Sequence, residues 1–151
     1  MSILNNIDYI GFDFDGVFTD NTLLQDQEGR EYLKFSKYDS LFIKALKNCI
    51  AIKKLSIELF VISGEHNSIV KYRCNKLGLI CYQGIDNKFQ FYKENFVGFN
   101  SDKEKSYVYL GNDLNDINLI RNAYFSFCPK DSPEFIKKNV DFITKAKGGQ
   151  G

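Results

Sequence analysis

Tyr9-Ile10-Gly11-Phe12-Asp13-Phe14-Asp15-Gly16-Val17-Phe18-Thr19-Asp20 is the stretch on which the reading of this chain turns. Its first half is a short apolar run ending in two carboxylates two positions apart. A run of that length reads as a buried strand, and residues i and i+2 of a strand point to the same side. At the carboxyl end of such a strand the chain splays open, so Asp13 and Asp15 are expected to reach one crevice. Burying two like charges that close is costly without a cation. Gly16 then lets the backbone turn sharply away. A bare D-x-D pair fits a solvated strand end equally well; the longer string D-x-D-G-V-x-T-D after an apolar strand is far more specific.

The chain has 151 residues, enough for one packed domain and too few for two. Twenty basic against nineteen acidic side chains leave a net charge of +1, so no basic surplus points to nucleic acid. No apolar run approaches membrane-spanning length. The first residues lack the basic start and apolar core of a signal peptide. The four cysteines show no C-x-x-C spacing and His66 is the only histidine, so a zinc site is not expected. The thiols read as buried or half-buried in a reducing compartment, and the expected location is cytoplasmic. Fourteen Phe and nine Tyr are expected mainly in the core.

Strand-like and helix-like segments alternate, which predicts an α/β fold: a Rossmann-like parallel sheet with helices on both faces. Strands are expected at 7–13, 57–62, 79–82, 106–110, 124–127 and 142–144. Residues 20–35 hold two short apolar stretches around Gly29 and read as a β-hairpin inserted after the first strand, or as an irregular surface loop. Asp39 and Ser40 look like caps of a helix running to residue 47. Further helices are expected at 65–77 with Gly78 as C-cap, at 86–96, at 114–121, and after Ser132-Pro133. Residues 97–105 read as a loop, and 145–151 as a flexible Gly-rich tail of a single domain spanning 1–151.

Four polar clusters fall at or just past strand ends, where an open α/β sheet places its binding crevice. Asp13 and Asp15 are the first. Ser63-Gly64 offers a hydroxyl and a backbone amide to a phosphate oxygen, although such a pair is also an ordinary N-cap. Lys88 stands near a helix start, where a cation is poorly placed in the helix dipole; an exposed lysine is the plain alternative. Gly111-Asn112-Asp113-Leu114-Asn115-Asp116 packs carboxylates and amides into an oxygen-rich turn suited to Mg2+, or forms a capped helix start.

In that order, and at those positions, the clusters resemble the four motifs of the haloacid dehalogenase superfamily of phosphatases. The resemblance implies Asp13 as nucleophile, forming an aspartyl-phosphate, and Asp15 as the acid and then the base. It implies Ser63 and Lys88 as binders of the transferring phosphoryl group. Asp13, the backbone carbonyl of Asp15, and Asp113 would hold Mg2+, with Asp116 and Asn112 orienting that set from behind. There is no room for a cap domain, so the chain looks like the capless branch, similar to the 3-deoxy-D-manno-octulosonate 8-phosphate phosphatases. Members of that family are tetramers whose hairpins form a barrel and cover neighbouring sites, which implies a homotetramer here.

Departures from that family concern the substrate. Glu65 stands where the octulosonate phosphatases usually have Arg, and Tyr38-Asp39-Ser40 replaces their Arg-Asp-Gly. The string Gly64-Glu65-(x7)-Arg73-(x2)-Lys76 instead resembles relatives acting on 2-keto-3-deoxynononate 9-phosphate. The expected substrate is thus a phosphorylated keto-deoxy sugar acid, a nine-carbon one first and the eight-carbon octulosonate next. Thr19, Gly64, Glu65, Arg73 and Lys76 are its expected contacts. Glu65, Arg73 and Lys76 are equally readable as a solvated helix face. The competing reading is a non-catalytic tetramerising domain working beside a nucleotide-sugar synthetase.

Overall fold

The structure, a computed structural model, describes residues 3–96 and 106–151, so the loop expected at 97–105 lies outside the described residues. A 3-10 turn, Ile3–Asn6, leads into β1 (Tyr9–Phe12). The hairpin strands are β2 (Leu24–Gln25) and β3 (Glu31–Tyr32), followed by α1 (Lys37–Ile52), β4 (Glu58–Ile62), α2 (Ser68–Leu77) and β5 (Ile80–Tyr82). Then come α3 (Lys88–Asn95), β6 (Tyr107–Leu110), a 3-10 turn (Leu114–Asp116) continuing into α4 (Ile117–Asn122), β7 (Phe125–Cys128), α5 (Glu134–Lys137) and β8 (Phe142–Ile143).

Six strands form one sheet in the order β5-β4-β1-β6-β7-β8, and every pairing in it is parallel. Parallel strands need cover on both faces, and β4 shows how the sequence supplies it. Its Leu59 and Val61 join Phe12, Ile43 of α1, and Val70, Cys74 and Leu77 of α2 in one core layer. Phe60 and Ile62, one pleat over, join Tyr92 of α3, Leu119 and Ile120 of α4, and Ile136 of α5 in the other. Gly11 is bare for the same reason. A Cβ there would come within 2.4 Å of the Phe60 ring and 2.9 Å of Tyr109.

This sheet order puts the functional crevice at a defined point. The chain builds outward on one side of β1 through β4 and β5, then crosses back to lay β6 on the other side. The carboxyl ends of β1 and β6 therefore diverge at a topological switch point.

The hairpin is real but minimal, two residue pairs, Leu24 with Tyr32 and Gln25 with Glu31. Gly29, at φ 79°, closes its turn. Helix starts differ from expectation. Ser36 caps α1 (its hydroxyl accepts Tyr38 N–H), so Asp39 and Ser40 lie inside the helix. Helix α2 begins three residues late at Ser68, capped by Asn67, and ends as expected on left-handed Gly78. One thiol also departs from expectation: Cys49 is exposed, whereas Cys74 and Cys128 are buried and Cys81 is half-buried. Among the described residues no helix is long and apolar enough to cross a membrane.

Residues 145–151 lie across the turn that follows β1. Gly149 N–H donates to the Val17 carbonyl at 2.9 Å, and Gly148 N–H donates to Asp131 Oδ1 at 3.0 Å. Gly148 sits so close to Gly16 and Thr19 that a Cβ would overlap their carbonyl groups.

Candidate active site

The turn leaving β1 fixes the first pair of carboxylates. Phe14 N–H donates to Asp13 Oδ1 at 2.7 Å, which pins the Asp13 side chain against its own backbone. Gly16 adopts φ 75°, the left-handed conformation that glycine takes without strain. Thr19, fully buried, accepts Gly16 N–H at 3.1 Å and donates its hydroxyl to Asp15 Oδ1 at 3.2 Å. Thr19 thus orients Asp15; it does not face the crevice opening as the expected substrate contact.

Behind Asp13 lies a buried charge array. Lys88 opens α3 and is 1% exposed, and its Nζ stands 2.6 Å from Asp13 Oδ1 and 2.8 Å from Asp116 Oδ1. Burial works against the ammonium, but Asp13 and Asp116 outweigh it and raise its pKa, so Lys88 stays charged. That pairing offsets the unfavourable position of a cation at a helix start. Asp116, with no exposed surface, also accepts the Tyr109 hydroxyl at 2.8 Å and the N–H groups of Asn112 and Asp113 at 3.0 and 3.2 Å. It is the anchor of the turn after β6. Tyr109 escaped the sequence reading because an alternate residue of a core strand carries no local mark of a polar contact.

The acids are tuned by position. Burial, together with the Asp116 charge, pushes the Asp13 carboxyl well above the usual carboxylate range, against the pull of Lys88. Burial also raises Asp15, opposed by its Thr19 hydrogen bond and reinforced by the Glu65 charge. A raised carboxyl such as Asp15 holds a proton more firmly than a free one, which suits it to general acid work.

In front of this array is a hollow of about 170 Å3, lined by Asp13, Asp15, Asn21, Ser63, Gly64, Glu65, Asn112, Asp113 and Asn115. Ser63 is buried at the end of β4 and accepts Glu65 N–H at 3.1 Å, which leaves its own hydroxyl proton free for a ligand oxygen. The N-cap reading of Ser63 is corrected: Asn67 caps α2, and Ser63, five positions before the helix starts, lines the crevice instead. A second hollow of about 260 Å3 adjoins at Asp15 and Glu65 and is walled by Asn21, Thr22, Leu23, Glu31 and Leu33 of the hairpin segment and by Asn67 and Val70. Asn67 donates to Glu31 across it, tying the hairpin to the start of α2.

Besides Thr19, two expected substrate contacts are not brought to either hollow. Arg73 donates to the Ser36 carbonyl at 2.7 Å and lies over the Phe35 ring, 5.0 Å from its centroid. Lys76 is exposed in the last turn of α2. The reason is the helix start. Glu65 precedes α2, so the spacing that would align it with Arg73 and Lys76 on one helix face does not operate.

The oxygen set suits a divalent cation. Among the described residues no three His, Cys, Asp or Glu side chains converge on one point. Mg2+ does not require that, since it takes one or two carboxylates and keeps several waters. Asp13 Oδ2, the Asp15 carbonyl and the Asn112 amide do converge: the amide stands 2.9 Å from the first and 2.8 Å from the second. Asp113, expected as the ligand, lines the hollow from an exposed position, and its Oδ1 accepts Leu114 N–H at 2.6 Å as the cap of the following turn. With Asp13 and Asp116 sharing only Lys88, the array carries a surplus negative charge that a cation would neutralise.

The fold superimposes on a haloacid dehalogenase family hydrolase from Streptomyces avermitilis with a TM-score of 0.82 at 26% identity, covering 100% of this chain and 83% of that one. No family model matches the chain, so the relationship rests on individual proteins. The chain is 29% identical to the 3-deoxy-D-manno-octulosonate 8-phosphate phosphatase KdsC of Haemophilus influenzae, covering 98% of this chain and 79% of that protein. Its fold superimposes on that phosphatase from Moraxella catarrhalis with a TM-score of 0.81 at 28% identity, covering 98% and 82% of the two chains. That structure contains magnesium, phosphate and KDO. The cobalt-bound Haemophilus influenzae enzyme gives a TM-score of 0.79 at 29% identity, covering 98% and 83%. The fold is haloacid dehalogenase-like, and over nearly its whole length the chain is similar to these octulosonate phosphatases.

Proposed function

We propose that the chain is a Mg2+-dependent phosphatase of a phosphorylated keto-deoxy sugar acid, acting through a phosphate ester on Asp13. The observation that carries this reading is the array itself: Asp13 pinned by Phe14 N–H and Lys88, with Asp15 half-buried beside it at the mouth of a polar hollow. The Asp13 carboxylate attacks phosphorus, the bond to the sugar oxygen breaks, and Asp15 gives its proton to that oxygen. Water then attacks the phosphorus of the ester, returns a proton to Asp15, and frees Asp13 and inorganic phosphate. Lys88 and the Ser63 hydroxyl balance the phosphoryl charge. Asp13, the Asp15 carbonyl and the Asn112–Asp113 turn would hold Mg2+, which would supply electrostatic stabilisation to the phosphoryl oxygens. A non-catalytic domain is the weaker reading, because Asp13 pairs with buried Lys88 and gathers with Asp15 and Ser63 around one hollow.

The sugar chain occupies the hollow between hairpin and α2, where Glu65 and Glu31 accept hydroxyl hydrogen bonds. Glu65 favours a nine-carbon acid, 2-keto-3-deoxynononate 9-phosphate or a sialic-acid-type 9-phosphate, over octulosonate 8-phosphate, the substrate in the relatives' names. Arg73 and Lys76 meet the substrate carboxylate only if a neighbouring copy presents them, in line with a homotetramer. The test is Mg2+-dependent phosphate release from these three esters. Turnover of at least one is expected, abolished in Asp13→Asn and reduced at least about 10²-fold in Asp15→Asn. Full activity of Asp13→Asn would overturn the nucleophile, and preference for the eight-carbon ester would overturn only the chain-length assignment.

A further inference from the structure

Asn21 stands in the left-handed region at φ 61°, where a side chain strains the backbone and glycine does not. Asparagine bears that conformation better than most side chains, but at a cost to stability, and such costs gather at functional sites. The backbone on both sides of it is tied down. Asn21 N–H donates to Thr19 Oγ1 at 3.2 Å, the same hydroxyl that donates to Asp15, and Thr22 N–H donates to Asp20 Oδ1 at 3.2 Å. The side-chain amide of Asn21 makes no hydrogen bond among the described residues, so the turn does not use it. Its position gives it a different use. The two hollows beside Asp15 share three lining residues, Asp15, Asn21 and Glu65. An ester with its phosphoryl group in the smaller hollow and its carbon chain in the larger has to pass between them.

We propose that Asn21 is a specificity-determining residue whose side-chain amide hydrogen-bonds the hydroxyl on the carbon next to the phosphorylated one. At this neck the atom beside Asp15 is the ester oxygen that leaves. The next polar atom along a sugar chain is the hydroxyl on the neighbouring carbon, which therefore lies toward Asn21 and Glu65. A carboxylate can only accept from that hydroxyl, whereas the Asn21 amide can also donate to its oxygen, so the two together satisfy it in both senses. The substrate is then the phosphate ester of a 1,2-diol. A chain without that hydroxyl would leave the amide and Glu65 unpaired at the neck, and the site rejects it for that reason. The strained turn serves this contact, because Thr19 fixes Asn21 and Asp15 from one hydroxyl group. This assignment rests on the phosphatase reading proposed above.

The test compares the sugar-acid ester that turns over fastest with its analogue lacking that one hydroxyl, in the full wild-type chain and in Asn21→Gly. Glycine keeps the left-handed turn and removes only the amide group, so the variant should melt no lower than the wild type. In kcat/KM the wild type should prefer the hydroxylated ester, and Asn21→Gly should lose about 10-fold of that preference. An undiminished preference in Asn21→Gly overturns the inference and leaves the phosphatase reading intact, as does a wild type indifferent to the hydroxyl. Equal losses on both esters together with a lower melting temperature would make the amide a prop of the turn, which overturns it as well. Absence of phosphate release from every sugar-acid ester by the wild type overturns the inference and the phosphatase reading together.

Discussion

Single residues in this protein are set by what surrounds them more than by their own chemistry, and Asp39 makes the case. It is buried in the first turns of α1, 7% exposed, and its Oδ2 has no hydrogen-bond partner among the described residues. Burial lifts its pKa to about 6, against the attraction of Arg73. The folded chain thus holds this proton more firmly than the unfolded chain does, and ionising it costs stability. The cost is absent below about pH 4, grows between pH 4 and 6, and is full above pH 6. Asp39→Asn should therefore stabilise the protein at pH 8 by about 3 kcal/mol, with the two proteins converging as the pH falls to 4. Urea unfolding across that range checks it; a difference that does not change with pH removes the Asp39 charge as its cause. Arg73, which was expected to meet substrate, is drawn into this same corner. Sequence spacing showed it near Glu65 along the chain, but not that the backbone between them is a crevice loop.

At the scale of elements, types were legible and edges were not. Every expected strand exists, because an apolar run long enough to cross a covered sheet has few alternatives. The starts of α1 and α2 were misplaced because each is preceded by several residues able to cap. Ser36 becomes the cap of α1 by adopting extended φ, ψ of −79° and 140°, a choice its neighbours Asp39 and Ser40 do not make. Tertiary contacts decide it: Arg73 holds the Ser36 carbonyl. Ser36→Ala should cost about 1 kcal/mol in thermal or urea unfolding. Ser40→Ala, inside the helix, should stay within about 0.5 kcal/mol. Equal losses would mean that the cap lies elsewhere. The same logic explains the legible part of the site. Asp13, Ser63 and Asp113 were found because strand ends are readable, whereas Glu31 and Asn67 meet only through the folded hairpin.

For the whole molecule, the least self-sufficient part is the hairpin. Two residue pairs do not hold an isolated antiparallel ribbon in water. Part of its anchorage is internal: Leu33 and Phe35 pack on the core layer that holds Phe14 and Phe18, and Glu31 is tied to Asn67. The other side is not covered. Leu24 is 70% exposed, Leu23 and Tyr32 are each 51% exposed, and all three lie on the hairpin segment that walls the substrate hollow or beside it. The apolar residues of this insert thus divide into an inner set that seats the hairpin and an outer set left exposed among the described residues. Contact among hairpins of several copies would remove the outer set from water and close the hollow, the arrangement proposed above. Light scattering at micromolar concentration should then give four times the chain mass. Leu24→Asp with Tyr32→Asp should reduce it to that of one or two chains with the far-ultraviolet circular dichroism unchanged, because neither side chain enters a core cluster. Loss of assembly should also raise KM for the sugar-acid ester more than it lowers kcat, since Asp13, Asp15 and Lys88 all come from one chain. A wild-type protein that scatters as a single chain while turning over a keto-deoxy sugar acid phosphate would show that one copy completes the site alone, and would leave the exposed leucines without a role in it.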